Sequence, residues 1–249
     1  MKGTVSLLGN AGILVSFAGL RFLVDGLYCD LNRNFSDIPL NIWEKMREGK
    51  GSYANIDYLL FSHWHYDHFY LPYFLEYMEH NRVKGVLFPP EEPGAKGVSE
   101  ALAAYGEKAV HFDRRAEFHP GEDMTIKRLQ LRHVDKAYYQ VTNQCIWMEL
   151  GGKRLMFLSD ADYLVQVYKQ GGDLRTDIAF VTPIFYNHPK GREILRNVLE
   201  ARTIVICHIP FPKDDRFQYY RMSCRDVERF RQADETVLVW NQFGQSISF

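Results

Sequence analysis

Residues 61–69 read FSHWHYDHF, and within them His63, His65, Asp67 and His68 fall inside six consecutive positions. Imidazole and carboxylate donors suit borderline or harder divalent cations: zinc first, with manganese or iron compatible. The pattern His-x-His-x-Asp-His arises by chance in a chain of this length roughly once in a thousand trials. In extended backbone, residues two apart face the same way, so His63 and His65 point together. A helix beginning near residue 67 would turn Asp67 and His68 toward a neighbouring point. One segment then feeds two adjacent ions. No cysteine lies in the motif, which argues against a closed structural zinc site.

Four ligands cannot complete two coordination shells, so the rest must come from other strand ends. The candidates are His133 in LRHVD, Asp160 in FLSDADY and His208 in VICHIPF, each closing an apolar run.

The elements that must position these residues are legible as short apolar runs. TVSLLG, GILVSF and LRFLVDG, separated by glycine-bearing turns, predict a β-meander over the first 25 residues. Residues 26–55 are polar, with Pro39 and a short helix expected near 40–48. A loop this long is usually functional or disordered, and its Tyr28, Phe35 and Trp43 suggest a pocket wall or lid. IDYLLF (56–61), VKGVLF (83–88) and KAVHF (108–112) read as strands, residues 70–81 as a helix, and a second strand-rich stretch begins near 124.

The two halves resemble each other. LRFLVD ends in Asp25, and GGKRLMFLSD ends in Asp160. Each is followed by a polar interval and then by Asp plus an apolar run, IDYLLF or TDIAFV, with TIVICH a further buried strand. With helices at 70–81, 190–200 and 223–233, this predicts an α/β fold. It is a four-layer αββα sandwich, two sheets face to face under helices, formed as one domain over 1–249.

The 249 residues suit one large α/β domain or two small ones. Lysine plus arginine is 30 against 31 acids, a net charge of −1, so nothing marks the whole molecule as a nucleic-acid or membrane binder, and only a local basic patch stays open. Cys29, Cys145, Cys207 and Cys224 form no Cys-x-x-Cys pair and read as free thiols of a cytoplasmic protein. The N-terminus is interrupted by Gly9, Asn10 and Gly12, so it reads as strands and not as a secretory segment.

LGNAGILVSFAGLRFLVDG, then FSHWHYDH, a lone histidine, FLSDAD and ICH together resemble the metallo-β-lactamase superfamily, with the landmarks in order over nearly the whole chain. The short form is similar to the branch that includes the ascorbate-phosphate lactonase-like proteins. The resemblance implies the αββα fold and two divalent metal ions. His63, His65 and His133 would hold one ion, Asp67, His68 and His208 the second, and Asp160 would bridge both. Asp25 would orient a ligand or the motif loop from behind. Two departures stand out: the third landmark continues as HVDKAYYQ, and Asp160 is followed closely by a second acid, Asp162.

The chemistry implied is hydrolysis. Two ions lower the pKa of a bridging water from about 15.7 toward 7 and polarise a carbonyl or phosphoryl oxygen, with Asp67 or Asp160 moving a proton. The substrate would be a small molecule with an ester, lactone, amide or phosphodiester bond. Alternatives are an iron-dependent redox or dioxygen-handling enzyme, a nuclease, and a non-catalytic metal binder. His188, in IFYNHPKG, is either a catalytic proton donor at the pocket rim or a solvated loop histidine. Lys190 and Arg192 read as surface, and Tyr219, Tyr220 and Arg221 as pocket wall or surface loop. His80, His111 and His119 carry no assigned role.

Overall fold

The computed structural model describes residues 2–91 and 102–249, which divide into two compact units. The first unit comprises Met1–His111 with Gln242–Phe249, and the second Phe112–Asn241.

In the first unit, the described strands β1 (Thr4–Gly9), β2 (Gly12–Phe17), β3 (Leu20–Val24), β4 (Tyr58–Leu60), β5 (Gly85–Leu87) and β13 (Ser246–Ser248) form one sheet in the order β13-β1-β2-β3-β4-β5. The meander appears as read. Phe17 pairs with Leu20 across a two-residue turn, and both turn residues, Ala18 and Gly19, have positive φ. That conformation matches the twist of the strands it joins. From β3 onward the pairing is parallel, so each connection must cross over the sheet. The crossovers carry helices α1 (Leu40–Arg47) and α2 (Leu71–His80). Their buried Trp43, Met46, Phe74 and Tyr77 join Leu8, Leu23, Leu59 and Phe61 in the core.

Two expectations change here. Tyr28 and Trp43 are core residues rather than lid residues, at 0% and 5% exposed, and Trp43 stacks on Tyr73 at 3.9 Å. The insertion is held by packing because it must bury those rings. KAVHF forms no strand: Ala109 makes a single bridge to Val86 and Val110 donates one bond to its carbonyl, after a 3-10 turn over Ala103–Lys108.

In the second unit, the described strands β6 (Glu117–Phe118), β7 (Met124–Arg132), β8 (Thr142–Leu150), β9 (Lys153–Phe157), β10 (Ile178–Val181), β11 (Thr203–Ile206) and β12 (Thr236–Val239) form a sheet ordered β12-β11-β10-β9-β8-β7-β6. β6 to β9 pair antiparallel, and β9 to β12 pair parallel. The parallel connections carry α3 (Val165–Gln170), α4 (Pro183–Asn187), α5 (Pro189–Asn197) and α6 (Tyr219–Phe230). Trp147, Met156, Tyr168, Phe185, Ile194 and Ile206 form its core. Tyr219, Tyr220 and Arg221 thus open α6 instead of lying in a loop.

The internal resemblance is structural. Both units place a hairpin strand beside a parallel strand, β3 with β4 and β9 with β10. In both, the aspartate just before the parallel strand accepts the amide of an arginine on the hairpin strand. Arg21 N–H donates to Asp57 and Arg154 N–H to Asp177, each at 2.8 Å. Topology also decides where polar strand ends gather. β3 and β4 run in one direction, so Asp25 and the histidine motif leave the same sheet edge. β7, β9 and β11 likewise share a direction, so His133, Asp160 and His208 leave one edge of the second sheet. The carboxyl edge of parallel strands is where α/β folds place ligands.

Candidate metal centre

In the first unit, β4 delivers Ser62 and His63, and the chain then turns so that the amides of His68 and Phe69 both donate to the His65 carbonyl. This turn fixes two donor pairs. His63 Nε2 and His65 Nδ1 are 3.1 Å apart, and His68 Nε2 lies 3.8 Å from Asp67 Oδ2. His63 and His68 are fully buried. Asn10, from the β1–β2 turn, donates its amide to the Asp67 carbonyl at 2.8 Å and holds the loop from the other side. Trp64, between the two histidines, packs edge-on against Phe69, whereas Tyr66 is 56% exposed.

Behind the histidines sits Asp25, 1% exposed. Oδ1 accepts the Ser62 amide at 2.7 Å, and Oδ2 accepts the Ser62 hydroxyl at 2.7 Å and faces His68 Nδ1 at 3.0 Å. Asp25 therefore orients a motif histidine from its far side. The surroundings are acidic. Burial first, then Asp37 and Asp67, push the Tyr28 hydroxyl well above its usual range, and burial with Asp37 pushes the Cys29 thiol up to about 11.

In the second unit, Asp160 turns one oxygen to each of two histidines. Oδ2 is 3.2 Å from His133 Nε2, and Oδ1 is 3.8 Å from His208 Nε2. Asn143, fully buried on β8, accepts the Asp160 amide at 3.2 Å and donates to the Leu158 carbonyl, fixing the turn after β9. The Asp135 amide donates to His133 Nδ1 at 2.9 Å. Asp162 is engaged elsewhere, with Arg132 Nε donating to its Oδ2 and the Tyr163 amide to its Oδ1.

Three of these strand ends pass through left-handed backbone: Asp25 at φ 45°, Ser159 at 50° and His208 at 61°. Non-glycine residues adopt this region at a cost of order 1 kcal/mol or more, and they do so where surrounding contacts over-determine them. Asp25 and the Ser159–Asp160 turn have those contacts in Ser62 and Asn143.

His188 caps α5. Its Nδ1 accepts the Lys190 amide at 3.2 Å, and its ring stacks flat on Tyr163 at 4.0 Å. Lys190 lies exposed in the first turn of α5, and Arg192 donates to the Tyr186 and Asn187 carbonyls. Sequence reasoning passed over Ser62 and Asn143. The signal for each was a polar residue adjoining a buried apolar run, Ser62 near the end of YLLFSH and Asn143 near the start of TNQCIW.

No family model and no curated protein matches the chain. Among solved structures, the metallo-β-lactamase fold protein YhfI from Bacillus subtilis superposes over all of both chains with a TM-score of 0.67 at 12% identity. The chain has the metallo-β-lactamase fold. An isothiocyanate hydrolase from Delia radicum gut bacteria shares this fold at a TM-score of 0.66 and 13% identity, over 100% of this chain and 99% of that one. CmlA, a diiron beta-hydroxylase from Streptomyces venezuelae, shares it at a TM-score of 0.70 and 16% identity. The match covers 99% of this chain but 54% of CmlA, so the chain spans about half the length of that relative. At these identities the metallo-β-lactamase-fold likeness is one of fold. Among the described residues, no helix is long and apolar enough to cross a membrane.

Proposed function

We propose that this chain is a metal-dependent hydrolase whose two sets of donors serve one pair of divalent ions. His63, His65 and His133 would hold one ion and Asp67, His68 and His208 the other, with Asp160, whose two oxygens face His133 and His208, serving both. The observation that carries the reading is a correspondence of halves. The motif presents two donor pairs, and Asp160 presents two oxygens, each already facing one histidine.

The donor chemistry fits such ions. Every donor is an imidazole nitrogen or a carboxylate oxygen, a set that suits zinc and also manganese or iron. Bound there, a pair of ions supplies Lewis-acid polarisation and water activation at neutral pH. The chain's own part is to hold the donors still and to move protons. Asp25 fixes the His68 ring, Asn143 fixes the Asp160 turn, and the Asp67 carboxylate lies at the motif's edge as a proton acceptor. The bond cleaved is an ester, lactone, amide or phosphodiester bond of a small molecule.

A second reading, an iron-dependent oxidative enzyme, is favoured by the fold shared with CmlA and by a ligand set that accepts iron. Metal analysis of protein purified without added metal, joined to a panel of lactone, phosphodiester and thioester substrates, separates the two. Zinc or manganese without iron absorbance supports hydrolysis, and iron with substrate-dependent oxygen uptake supports the alternative. His65→Ala and Asp67→Ala should each lose metal and activity together. Full activity of metal-depleted Asp67→Ala protein would end the hydrolase mechanism.

A further inference from the structure

We infer that Tyr138 sets the substrate class: its ring is a wall beside the candidate metal centre that receives an aromatic or other apolar ring carried next to the bond cleaved. This role rests on the hydrolase proposed above, with the ring borne on the acyl side of an ester, lactone or amide.

The pocket wall expected of residues 26–55 has to come from elsewhere, since Tyr28 and Trp43 are in the core. The segment HVDKAYYQV, residues 133–141, joins β7 to β8 and begins at His133. It is closed on itself. The His133 amide donates to the Val141 carbonyl at 2.9 Å, the Val141 amide to the Tyr138 carbonyl at 2.8 Å, and the Tyr138 amide to the Asp135 carbonyl at 2.9 Å. Asp135 Oδ1 accepts the Ala137 amide at 2.9 Å and caps the 3-10 turn over Lys136–Tyr138. Both backbone groups of Tyr138 are therefore engaged, and the loop has no slack with which to carry the ring away.

The loop is also tied to the turn that carries Asp160. The Val134 amide donates to the Asp160 carbonyl at 2.8 Å, and the Asp162 amide to the Arg132 carbonyl at 3.1 Å. The Arg132 guanidinium lies over the Tyr139 ring at 3.9 Å while its Nε donates to Asp162. Tyr139 thereby belongs to the scaffold. The Tyr138 ring instead meets the His133 ring edge to face, with centroids 5.5 Å apart at 75°, and is 44% exposed.

Exposure alone would mean nothing, because single apolar residues are common on protein surfaces. Placement decides: a flat apolar face stands beside a donor histidine, on a loop bonded to the backbone of Asp160. A tyrosine offers that face at a low entropy cost, having only two side-chain torsions. A second ring packed on it buries apolar area on both partners and adds the attraction between rings. An acyl group without a ring gains neither.

The test titrates phenylacetate and acetate into the full-length protein by calorimetry, with methyl phenylacetate and methyl acetate as the matched substrates. Phenylacetate should bind about 10-fold more tightly than acetate, and kcat/KM should favour methyl phenylacetate by about the same factor. Tyr138→Ala should bring both ratios close to one, through KM rather than kcat, with bound metal unchanged. Tyr138→Phe should keep both ratios. If Tyr138→Ala does not fold, Tyr138→Gln carries the same comparison.

A wild-type ratio near one, or a preference that survives Tyr138→Ala, would overturn the wall. So would loss of the preference in Tyr138→Phe, which keeps the ring. A phenylacetate preference abolished by Tyr138→Ala, in a protein that hydrolyses neither ester nor any other member of the substrate panel, would uphold the wall and reject the hydrolase. Equal hydrolysis of both esters, unchanged in Tyr138→Ala, would keep the hydrolase and reject the wall.

Discussion

Replacing Arg196 by methionine should destabilise the protein more than any exposed ion-pair change. Arg196, on α5, closes a fork on Glu235, just before β12. Its Nε donates to Oε1, and its Nη2 donates to Oε2 at 3.0 Å and to the Phe230 carbonyl at 2.7 Å. The Glu235 side chain is 4% exposed and Arg196 is 22% exposed. Burial raises the Glu235 carboxyl, but Arg196 and the Gln232 amide outweigh it and leave it below the usual carboxylate range. With Arg196 gone, a buried carboxylate keeps the Gln232 amide and loses its counter-charge. Breaking such a pair costs about 3–5 kcal/mol, or about 6–20 °C in Tm for a chain of this size.

The pH dependence carries the sign. A carboxyl lowered in the folded state adds stability above its unfolded value, near pH 4.3, and that stability fades as pH falls through the folded value. In Arg196→Met the unpartnered Glu235 gains by protonation instead. The deficit should therefore be largest near neutral pH and shrink toward about pH 4. Thermal and urea unfolding across that range measure it, and Arg196→Met/Glu235→Leu should recover most of the loss. A cost below about 1 kcal/mol at neutral pH, or a deficit that does not change with pH, would refute the reasoning.

Three other outcomes are expected. Gly191→Ala should cost about 3 kcal/mol or more, seen as a lower urea midpoint, because its Cβ would sit 1.9 Å from the Phe185 carbonyl oxygen. Burial pushes the Cys145 thiol up to about 12, and Cys29 stands at about 11. At pH 8 only about one Cys29 in a thousand is thiolate, so a disulfide reagent should modify both at least about 100-fold more slowly than free cysteine, and all four cysteines only after unfolding. Asp160→Asn leaves one acceptor oxygen where two face His133 and His208. Equilibrium dialysis should show at most one tightly bound equivalent of zinc, and two at wild-type affinity would refute the bridging role.

Much of this protein is written locally in its sequence. The spacing of His63, His65, Asp67 and His68 brings the donors together because one turn after one strand suffices. The β-meander, the helices α1 and α2, and the repeated Asp-plus-apolar signature at Asp57 and Asp177 follow from short-range periodicity. Tertiary structure decided what each polar residue is for. Asp25 and Ser62 lie 37 positions apart and Asn143 and Asp160 lie 17 apart, and no local pattern pairs them. Asp162 looked like a rival to Asp160 until Arg132, 30 positions away, claimed it. Tyr28 and Trp43 looked like a lid until the core took them. Residue type and spacing determine which atoms can bind an ion. How each of those atoms is held depends on the partner behind it, as Asp25 and Asn143 show, and only the folded chain supplies that partner.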